Sequence, residues 1–492
     1  MPEEILVIGA GIAGLNTALA LAPHGHKITL LERDAPPPEG GPDEAFFDWN
    51  RRGVGHLRHS HAFLARLRTI IKDQHPELLR QLLAAGCREI RFADMLPDGL
   101  KAAYAPAPGD QDMAVLTSRR TTLELVMRRY VEQLPGVTIR SGAIVRGLIL
   151  EPLEAGQFLV AGVRGDLEGA PHEWRAPITI DAGGRTSQAF GQLQEAGAAV
   201  SEEAEDCGIL YYTRHYRLVA DKGEPASKGA GTGDLGFIKY GLFPGDNRCF
   251  SITLAVPEIE TEVRQAIVRP EIFDRICALL PGLAPWAAPE NAEPISKVFG
   301  MGDLRSRWRS LANSEGRATL GFFAVGDSLI RTNPLYGRGC SFAAVEAQIL
   351  AGVLSDAEDP DVRARLYETR VRTELTVYYD DMRGQDRAAV QRAERARNPI
   401  HAPNLKNRIK QSFIDDGVRI AIRSDITLLR AALRDFHMID PPGAWLKRPG
   451  SIAKVMRSWA RGKQRNAHLY PPPLGPERGA LLSALGLGVG PG

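Results

Sequence analysis

A short apolar run, Ile5-Leu6-Val7-Ile8, leads without a break into Gly9-Ala10-Gly11-Ile12-Ala13-Gly14. The run is too short for a helix and rich in β-branched residues, so it reads as a buried parallel strand. Leu15 to Ala22 then reads as a helix, and Lys27 to Leu31 as a second strand. A GxGxxG motif alone is weak; between a strand and a helix it gains a mechanism. Gly9 permits the tight turn, Gly11 lets the main chain approach a pyrophosphate, and Gly14 lets helix and strand pack closely. The free N–H groups at the helix N-terminus then face the phosphate charge. Glu32, at the end of the second strand, follows Gly14 by 18 residues. A carboxylate there accepts hydrogen bonds from a ribose diol, so the chain opens with a dinucleotide site.

The whole chain must accommodate that unit. Its 492 residues suggest about three domains or lobes. Lys and Arg total 61 against 59 Asp and Glu, so no global positive field marks a nucleic-acid binder. Five scattered cysteines contain no CxxC pair, which leaves a disulfide scaffold, a zinc ribbon and a thioredoxin-type site unsupported and fits a reducing cytoplasm. No leader segment and no apolar run of membrane-spanning length is visible. A cytoplasmic protein with at most a peripheral membrane contact is expected.

Beyond the first unit, residues 34–44 read as a Pro/Gly-rich loop, and Leu123 to Leu134 as an amphipathic helix. Cys207 to Val219, Gly236 to Phe243 and Arg248 to Val256 read as strands of an antiparallel lobe. Gly231, Gly233 and Gly236 form a second GxGxxG. It follows a polar loop and leads into a strand, so it is discounted, and no separate nicotinamide site is visible. Thr319 to Val325 is a buried strand ending in Gly326-Asp327. Asn333-Pro334-Leu335-Tyr336-Gly337-Arg338-Gly339 follows, and then a helix from Ser341 to Leu354. This second glycine-lined helix start suits a ribityl chain and a flavin ring, and Asp327 can accept a ribityl hydroxyl. A dehydrogenase using NAD alone has no need of it, so FAD is expected.

The order GxGxxG, then Ile180-Asp181-Ala182-Gly183-Gly184-Arg185-Thr186-Ser187, then Ala324-Val325-Gly326-Asp327 with Asn333 to Gly339, resembles FAD-dependent monooxygenases of the para-hydroxybenzoate hydroxylase fold. More narrowly the chain resembles the bacterial branch with polyether epoxidases and squalene-epoxidase-like proteins. Further matching segments are Gly55 to His61, Ser118 to Glu124, Tyr211 to Arg214 and Met438 to Pro442. The resemblance implies an α/β fold: a Rossmann-like FAD domain assembled from discontinuous segments, an antiparallel substrate domain and a helical C-terminal extension. The expected ranges are 1–70, 115–190 and 296–355 for the FAD domain, 71–114 and 191–295 for the substrate domain, 356–470 for the helical region and 471–492 for a flexible tail.

The cofactor-binding set it implies is Gly9, Ala10, Gly11, Ile12, Ala13, Gly14, Glu32, Arg33, Arg58, Arg120, Asp181, Asp327, Pro334, Gly337 and Gly339. Arg58 and Arg120 would sit at the pyrophosphate, Asp181 in the second fingerprint, and Pro334, Gly337 and Gly339 along the flavin ring. The second fingerprint departs from the spelling of hydroxylases that bind NADPH directly. NAD(P)H or a separate flavin reductase is therefore expected as electron donor, with O2 as cosubstrate. The implied reaction is epoxidation or hydroxylation of a lipophilic small molecule through a flavin C4a-hydroperoxide. The cofactor carries the hard step, so no catalytic residue is assigned. Prenyl-bond reduction, flavin-dependent halogenation and non-catalytic FAD binding are the alternatives. The Gly-Trp-x-Trp-x-Ile-Pro segment of tryptophan halogenases is absent, and Lys72 alone does not replace it.

His56, His59 and His61 form the one histidine cluster. They read as polar groups around the phosphate loop rather than as metal ligands or as the site of a covalent flavin bond, and no metal is expected. The basic, partly apolar stretches Trp445 to Arg448 and Lys454 to Lys463 read as a solvated helix face, with docking on an acidic membrane surface as the alternative. Aromatic residues crowd the middle strands: Tyr211, Tyr212, Tyr216, Phe237, Tyr240, Phe243 and Phe250. Some should be core and others pocket lining.

Overall fold

In the computed structural model, which describes residues 2–154, 157–226, 229–312, 318–397 and 405–487, the strand Glu4–Ile8 lies in the middle of a five-stranded sheet. Lys27–Glu32 and Val137–Ser141 flank it on one side, Ile178–Asp181 and Phe322–Ala324 on the other, and all pairings are parallel. These five strands come from the ranges expected for the FAD domain. Their apolar character follows from burial on both faces: Ile5, Val7, Ile28, Leu30, Ile178 and Ile180 are almost fully excluded from solvent. The helices Ile12–Leu21 and Gly339–Asp356 pack on each other against this sheet.

A second sheet of six strands forms the lobe expected to take the substrate. Ile209–Leu218 and Cys249–Pro257 are its antiparallel centre, with Lys239–Pro244 and the short Thr232–Asp234 beyond. Thr232–Asp234 lies inside the discounted second GxGxxG and is a strand, with no helix after it. The lobe's own core includes Tyr212, Tyr216, Phe237 and Phe250.

Three boundaries differ from expectation. Phe299–Met301, assigned to the FAD domain, pairs antiparallel with Tyr211–Thr213 and belongs to the substrate sheet. The helix Pro76–Ala84, assigned to the substrate domain, buries Leu78, Leu79 and Leu82 in the core of the parallel sheet. Its apolar stripe gave no clue to which sheet it faces. The tail is packed where it is described: helix Arg478–Leu485 inserts Leu481, Leu482 and Leu485 into the substrate-lobe core, against helix Pro270–Leu279. Residues 488–492 lie outside the described residues. The Pro/Gly content of 471–476 suggested disorder, but the Leu-Leu-x-x-Leu pattern after it decides the outcome.

The loop expected at 34–44 contains the start of a helix, Pro42–Asp48. Helix Pro360–Arg397 spans 38 residues and begins the helical region. The amphipathic segment Val418 to Phe436 is divided at Asp425, whose carboxylate caps helix Ile426–Phe436 by accepting from the Thr427 and Leu428 amides. Trp445 is buried, and Trp459 stacks edge-on with Phe413. The indole that the membrane alternative would use therefore faces inward. Among the described residues no helix is long and apolar enough to cross a membrane.

Candidate active site

A cavity of about 2240 Å³ runs from the carboxyl end of the parallel sheet to the substrate sheet. At its first end the wall is main chain. Gly9 leaves its strand with φ +94, a left-handed value that suits glycine, and a Cβ there would lie 2.8 Å from the Ala182 carbonyl oxygen. A Cβ on Gly14 would lie 2.0 Å from the Gly9 carbonyl oxygen, so this glycine sets the closeness of helix and strand. Gly11 is different: a Cβ there meets nothing within 4 Å, because Gly11 faces the cavity. Gly9, Gly11, Ile12 and Ala13 line the space, whereas Ala10 and Gly14 face the protein.

Glu32 and Arg33 also line this end. The Glu32 carboxylate accepts from the Ala10 amide at 2.8 Å and the Asp34 amide at 2.9 Å. It also accepts from Arg51 at 2.6 Å. Arg51 reaches on to Glu124 at 2.5 Å, and Glu124 accepts from Arg120 at 2.6 Å. Burial disfavours the Arg51 charge, but Glu124, Glu32 and Asp34 outweigh it and raise its pKa. The result is a buried Glu32–Arg51–Glu124–Arg120 chain under the cradle. Sequence reasoning missed Arg51 and Glu124. The available signal was Glu124 four residues after Arg120 on a helix; nothing local marked Arg51.

The second glycine turn closes on the first. Gly326 has φ +67, and a Cβ there would sit 2.7 Å from the Ala13 side chain. Asp327 lines the cavity, and no hydrogen bond from the described residues reaches its carboxylate. Burial pushes this carboxyl up, against the pull of Arg331, Arg120, Arg307 and Arg185. Asn333 accepts from the Leu335 amide at 3.0 Å and shapes the following turn. Pro334, Gly337 and Gly339 then line the cavity. A glycine cradle open only at Gly11, the Glu32 carboxylate beside it and an Asp327 carboxylate without a hydrogen-bond partner among the described residues, all on one wall, suit a dinucleotide that ends in a flavin; the residues fit FAD.

Two expected residues stand elsewhere. Arg58 does not line the cavity: its guanidinium donates to the carbonyls of Phe46, Phe47 and Trp49, at the end of helix Pro42–Asp48. That is the usual place for a cation at a helix C-terminus. Asp181 is fully buried behind the wall, where burial pushes its carboxyl up. It accepts from the Gly183 amide at 2.9 Å and the Ser187 hydroxyl at 2.6 Å. Its part is to hold the loop that presents Ala182 to Arg185 to the cavity. Arg120 does line the cavity, and donates from its Nη1 to His61 Nε2 at 3.2 Å.

The histidines are brought together. His56, His59 and His61 line the cavity. His61 Nδ1 donates to the His59 carbonyl at 2.8 Å, leaving its Nε2 to accept from Arg120. His59 Nδ1 meets the Thr213 hydroxyl at 3.0 Å, and Thr213 continues to Thr253 and Ser60, each link 2.7 Å. Burial, with Arg185 adding to it, lowers His59 to about 4. Burial and then Arg120 hold His56 and His61 well below the usual value. Burial thus favours the neutral form of all three. His59, through Thr213, and Ser60, through Thr253 and Ser251, tie this loop to the six-stranded sheet, while His56 stacks on His61.

Beyond them the wall becomes aromatic and aliphatic. Tyr211, Tyr240 and Phe243 turn toward the cavity, while Tyr216, Phe237 and Phe250 remain in the core. Leu96, Leu433, Phe436 and His437 form the far side, and Pro471 to Leu474 close it from the tail. The Tyr240 hydroxyl holds that strap by donating to the Leu474 carbonyl at 3.1 Å.

Known proteins share these features to different extents. Residues 4–41 match the profile of the DAO family, FAD dependent oxidoreductase. Protein Rv3254 of Mycobacterium tuberculosis is 28% identical over 407 residues, 76% of this chain and 78% of that protein. Squalene epoxidase 3 of Arabidopsis thaliana is 21% identical over 364 residues, 72% of this chain and 61% of that protein. Among solved structures, the flavin-dependent halogenase CmlS matches with a TM-score of 0.61 at 18% identity, covering 88% of this chain and 77% of that one. PqsL of Pseudomonas aeruginosa, a probable FAD-dependent monooxygenase, matches with a TM-score of 0.57 at 15% identity over 80% and 99%. The chain has the fold of FAD-dependent monooxygenases and halogenases.

Proposed function

We propose, from a fold shared with flavin monooxygenases and halogenases, that the protein is an FAD-dependent monooxygenase that epoxidises or hydroxylates a lipophilic small molecule. The observation that carries the reading is the continuity of one cavity from the glycine cradle and Asp327 to an aromatic and aliphatic wall. At about 2240 Å³ it exceeds the roughly 300–1,000 Å³ of a single small-molecule site, leaving room for cofactor and substrate side by side. FAD, when bound and reduced by NAD(P)H or by a partner reductase, supplies the electrons that place one atom of O2 in the substrate and the other in water. The chain's own work is to hold and to exclude. Gly11 and the helix start at Ile12 receive the pyrophosphate, Glu32 the ribose, and Asp327 a ribityl hydroxyl. His59 meets the Thr213 hydroxyl and His61 meets Arg120 and a carbonyl, and their lowered pKa values disfavour placing charge in the apolar section. The strap at 471–474 and the wall of Tyr211, Tyr240 and Phe243 keep water out.

A halogenase reading has the likeness to CmlS in its favour. Against it, Lys72 does not line the cavity and pairs with Asp112 at 3.0 Å and Asp73 at 3.2 Å on the surface. The test is mass analysis of products from a panel of lipophilic alkenes, with FAD-loaded protein, NADPH or a flavin reductase, and ¹⁸O2. Incorporation of one ¹⁸O atom is expected. A bromide- or chloride-dependent product would install the halogenase reading instead. Saturation of the alkene under nitrogen would install a reductase. Protein that never retains FAD would remove all three.

A further inference from the structure

His437 ends helix Ile426–Phe436, and its amide donates to the Leu433 carbonyl at 2.9 Å. The next residue, Met438, takes φ +61, a left-handed value where glycine or asparagine is usual. The chain thus turns away sharply, and His437 stands among the residues that line the cavity. His437 is 1% exposed, and among the described residues neither Nδ1 nor Nε2 has a hydrogen-bond partner. Every other histidine on this wall with its nitrogens this deeply buried is tied to Thr213, Arg120 or a carbonyl; this one is not. Among the described residues its one aromatic-ring partner is Phe436, edge to face at 5.1 Å. Burial alone lowers its pKa to about 4, and no charged group contributes. A buried polar group with no partner is unfavourable, and such exceptions call for a ligand or a role.

The position belongs to the substrate section of the cavity. A Cβ on Gly337 would sit 3.3 Å from the Ala62 carbonyl, and Ala62 pairs with Thr117. Val115, on the same strand, pairs with Ile90, and Leu96 beyond it packs in the cluster that Leu433 joins. The wall therefore passes step by step from the second glycine loop to His437. A neutral imidazole presents one donor and one acceptor. A carboxylate or ammonium would satisfy one and clash with an apolar, uncharged surrounding. A hydroxyl is uncharged and can pair with either nitrogen, accepting from the N–H or donating to the bare nitrogen.

Resting on the monooxygenase reading, we propose that His437 is the recognition point for a hydroxyl group on the apolar substrate, held at the end of the cavity away from the glycine cradle. The substrate class is then a lipophilic alcohol, with its hydroxyl bound by His437 and its hydrocarbon lying along the Leu96 and Leu433 wall.

Binding to the FAD-loaded, oxidised protein tests this without turnover. The probes are geraniol, geranyl methyl ether and 2,6-dimethylocta-2,6-diene, which share a carbon skeleton and differ in the oxygen, titrated by calorimetry. Wild-type protein should bind geraniol about 10-fold more tightly than the ether or the hydrocarbon, since a site built for a hydroxyl rejects analogues lacking it. His437→Phe should abolish that gap and leave hydrocarbon binding within about 2-fold. His437→Gln, which keeps a donor and an acceptor, should restore part of it. A gap that survives in His437→Phe, or is absent in the wild type, overturns the proposal. Where His437→Phe does not fold, ¹⁵N resonances of the wild-type imidazole decide. They shift with geraniol and not with the hydrocarbon if His437 is the contact, and their indifference to geraniol overturns it. Loss of discrimination with hydrocarbon binding intact removes only the role of His437; failure of all three probes to bind FAD-loaded protein removes the lipophilic-substrate reading as well.

Discussion

Near Gly9 the cavity wall is backbone drawn from two tight turns, whereas near His437 it is side chain drawn from four distant stretches: 90–101, 211–255, 433–437 and 468–474. The first end depends on the absence of Cβ atoms at defined points, and a sequence displays that absence directly. The second depends on which side chains tertiary packing turns inward, and that is not a local property. A cofactor cradle of this kind tolerates almost no substitution, while a substrate wall can be exchanged residue by residue. The largest effects should therefore fall at the first end, though not uniformly.

Gly14 and Gly11 separate folding from binding within one motif. A Cβ on Gly14 would overlap the Gly9 carbonyl oxygen at 2.0 Å, so Gly14→Val is expected to cost more than about 4 kcal/mol and to give little folded protein. Gly11 has open space ahead of it and an ordinary φ of −81, so Gly11→Val should change stability by less than about 1 kcal/mol. It should nonetheless lose bound flavin, because the new side chain occupies the phosphate approach. Thermal melts and the flavin-to-protein absorbance ratio on both variants distinguish the two roles. Equal behaviour of the two would break the contrast.

Glu32 stands between those cases. It reads from the sequence as a ligand for ribose, but the structure also makes it the end of a buried ion chain. Glu32→Ala leaves Arg51 with Glu124 and a more distant Asp34 at 3.9 Å, and strips the Ala10 amide of its partner. Breaking a buried pair costs about 3 kcal/mol. Urea denaturation of Glu32→Ala should show a loss of that size even without FAD. A purely ligand-binding carboxylate would show none.

This difference explains what was legible in advance. Gly9, Gly11, Gly14, Gly326 and Gly337 could be placed because turn geometry and helix starts follow local rules. Asp327 could be placed because it follows a buried strand. Arg58 and Asp181 were placed by likeness of spelling, and spelling does not say which way a side chain points: one caps a helix end, the other braces a loop from behind. Arg51 was invisible because its partners lie 19 and 73 residues away. His437 was invisible for the same reason, since only packing makes it an imidazole without partners. The tail was misread because its proline-rich first part hid the leucine stripe that follows.

That stripe gives the next prediction. Leu482 is fully buried in the substrate-lobe core. Leu482→Ala should cost about 2.5 kcal/mol, within the usual range for such truncations. The loss should appear in hydrogen exchange of the strap and of helix Pro270–Leu279, and leave the parallel sheet untouched. Exchange rising equally in both sheets would mean that the two ends are one cooperative unit.

A pH effect sets the cofactor end apart again. Glu346 lies in the core under the second glycine turn and accepts from the Gly326 amide. Burial, partly opposed by that bond and reinforced by Asp327, pushes its carboxyl up to about 8. Its contribution to stability is complete below its unfolded value of 4.5 and is lost as the pH rises toward 8. Glu346→Gln keeps an acceptor for Gly326 and removes the titration. The variant should match the wild type near pH 5 and exceed it by about 2 kcal/mol near pH 8, an allowance below the ~1.4 kcal/mol per pH unit limit. Melting temperatures across that range decide it, and parallel curves would show that Glu346 is ionised in the fold.

The smallest effect is expected at Lys72, and there a null result carries information. Its ammonium is one-third exposed, pairs with Asp112 and Asp73, and lies off the cavity. Such surface pairs contribute about 0–1 kcal/mol and weaken with salt. Lys72→Ala should therefore leave stability within about 0.5 kcal/mol and leave product formation unchanged, with or without bromide. A halogenase that depended on this lysine would lose its halogenated product and keep its ability to consume O2. Loss of product at Lys72 would mean that the cavity opens toward helix Ala65–Gln74 during turnover, and would move the reacting end of the substrate away from the Tyr211 wall. Unchanged product leaves the chemistry between the second glycine turn and the substrate sheet, where Asp327, His59 and Tyr211 already converge on the cavity.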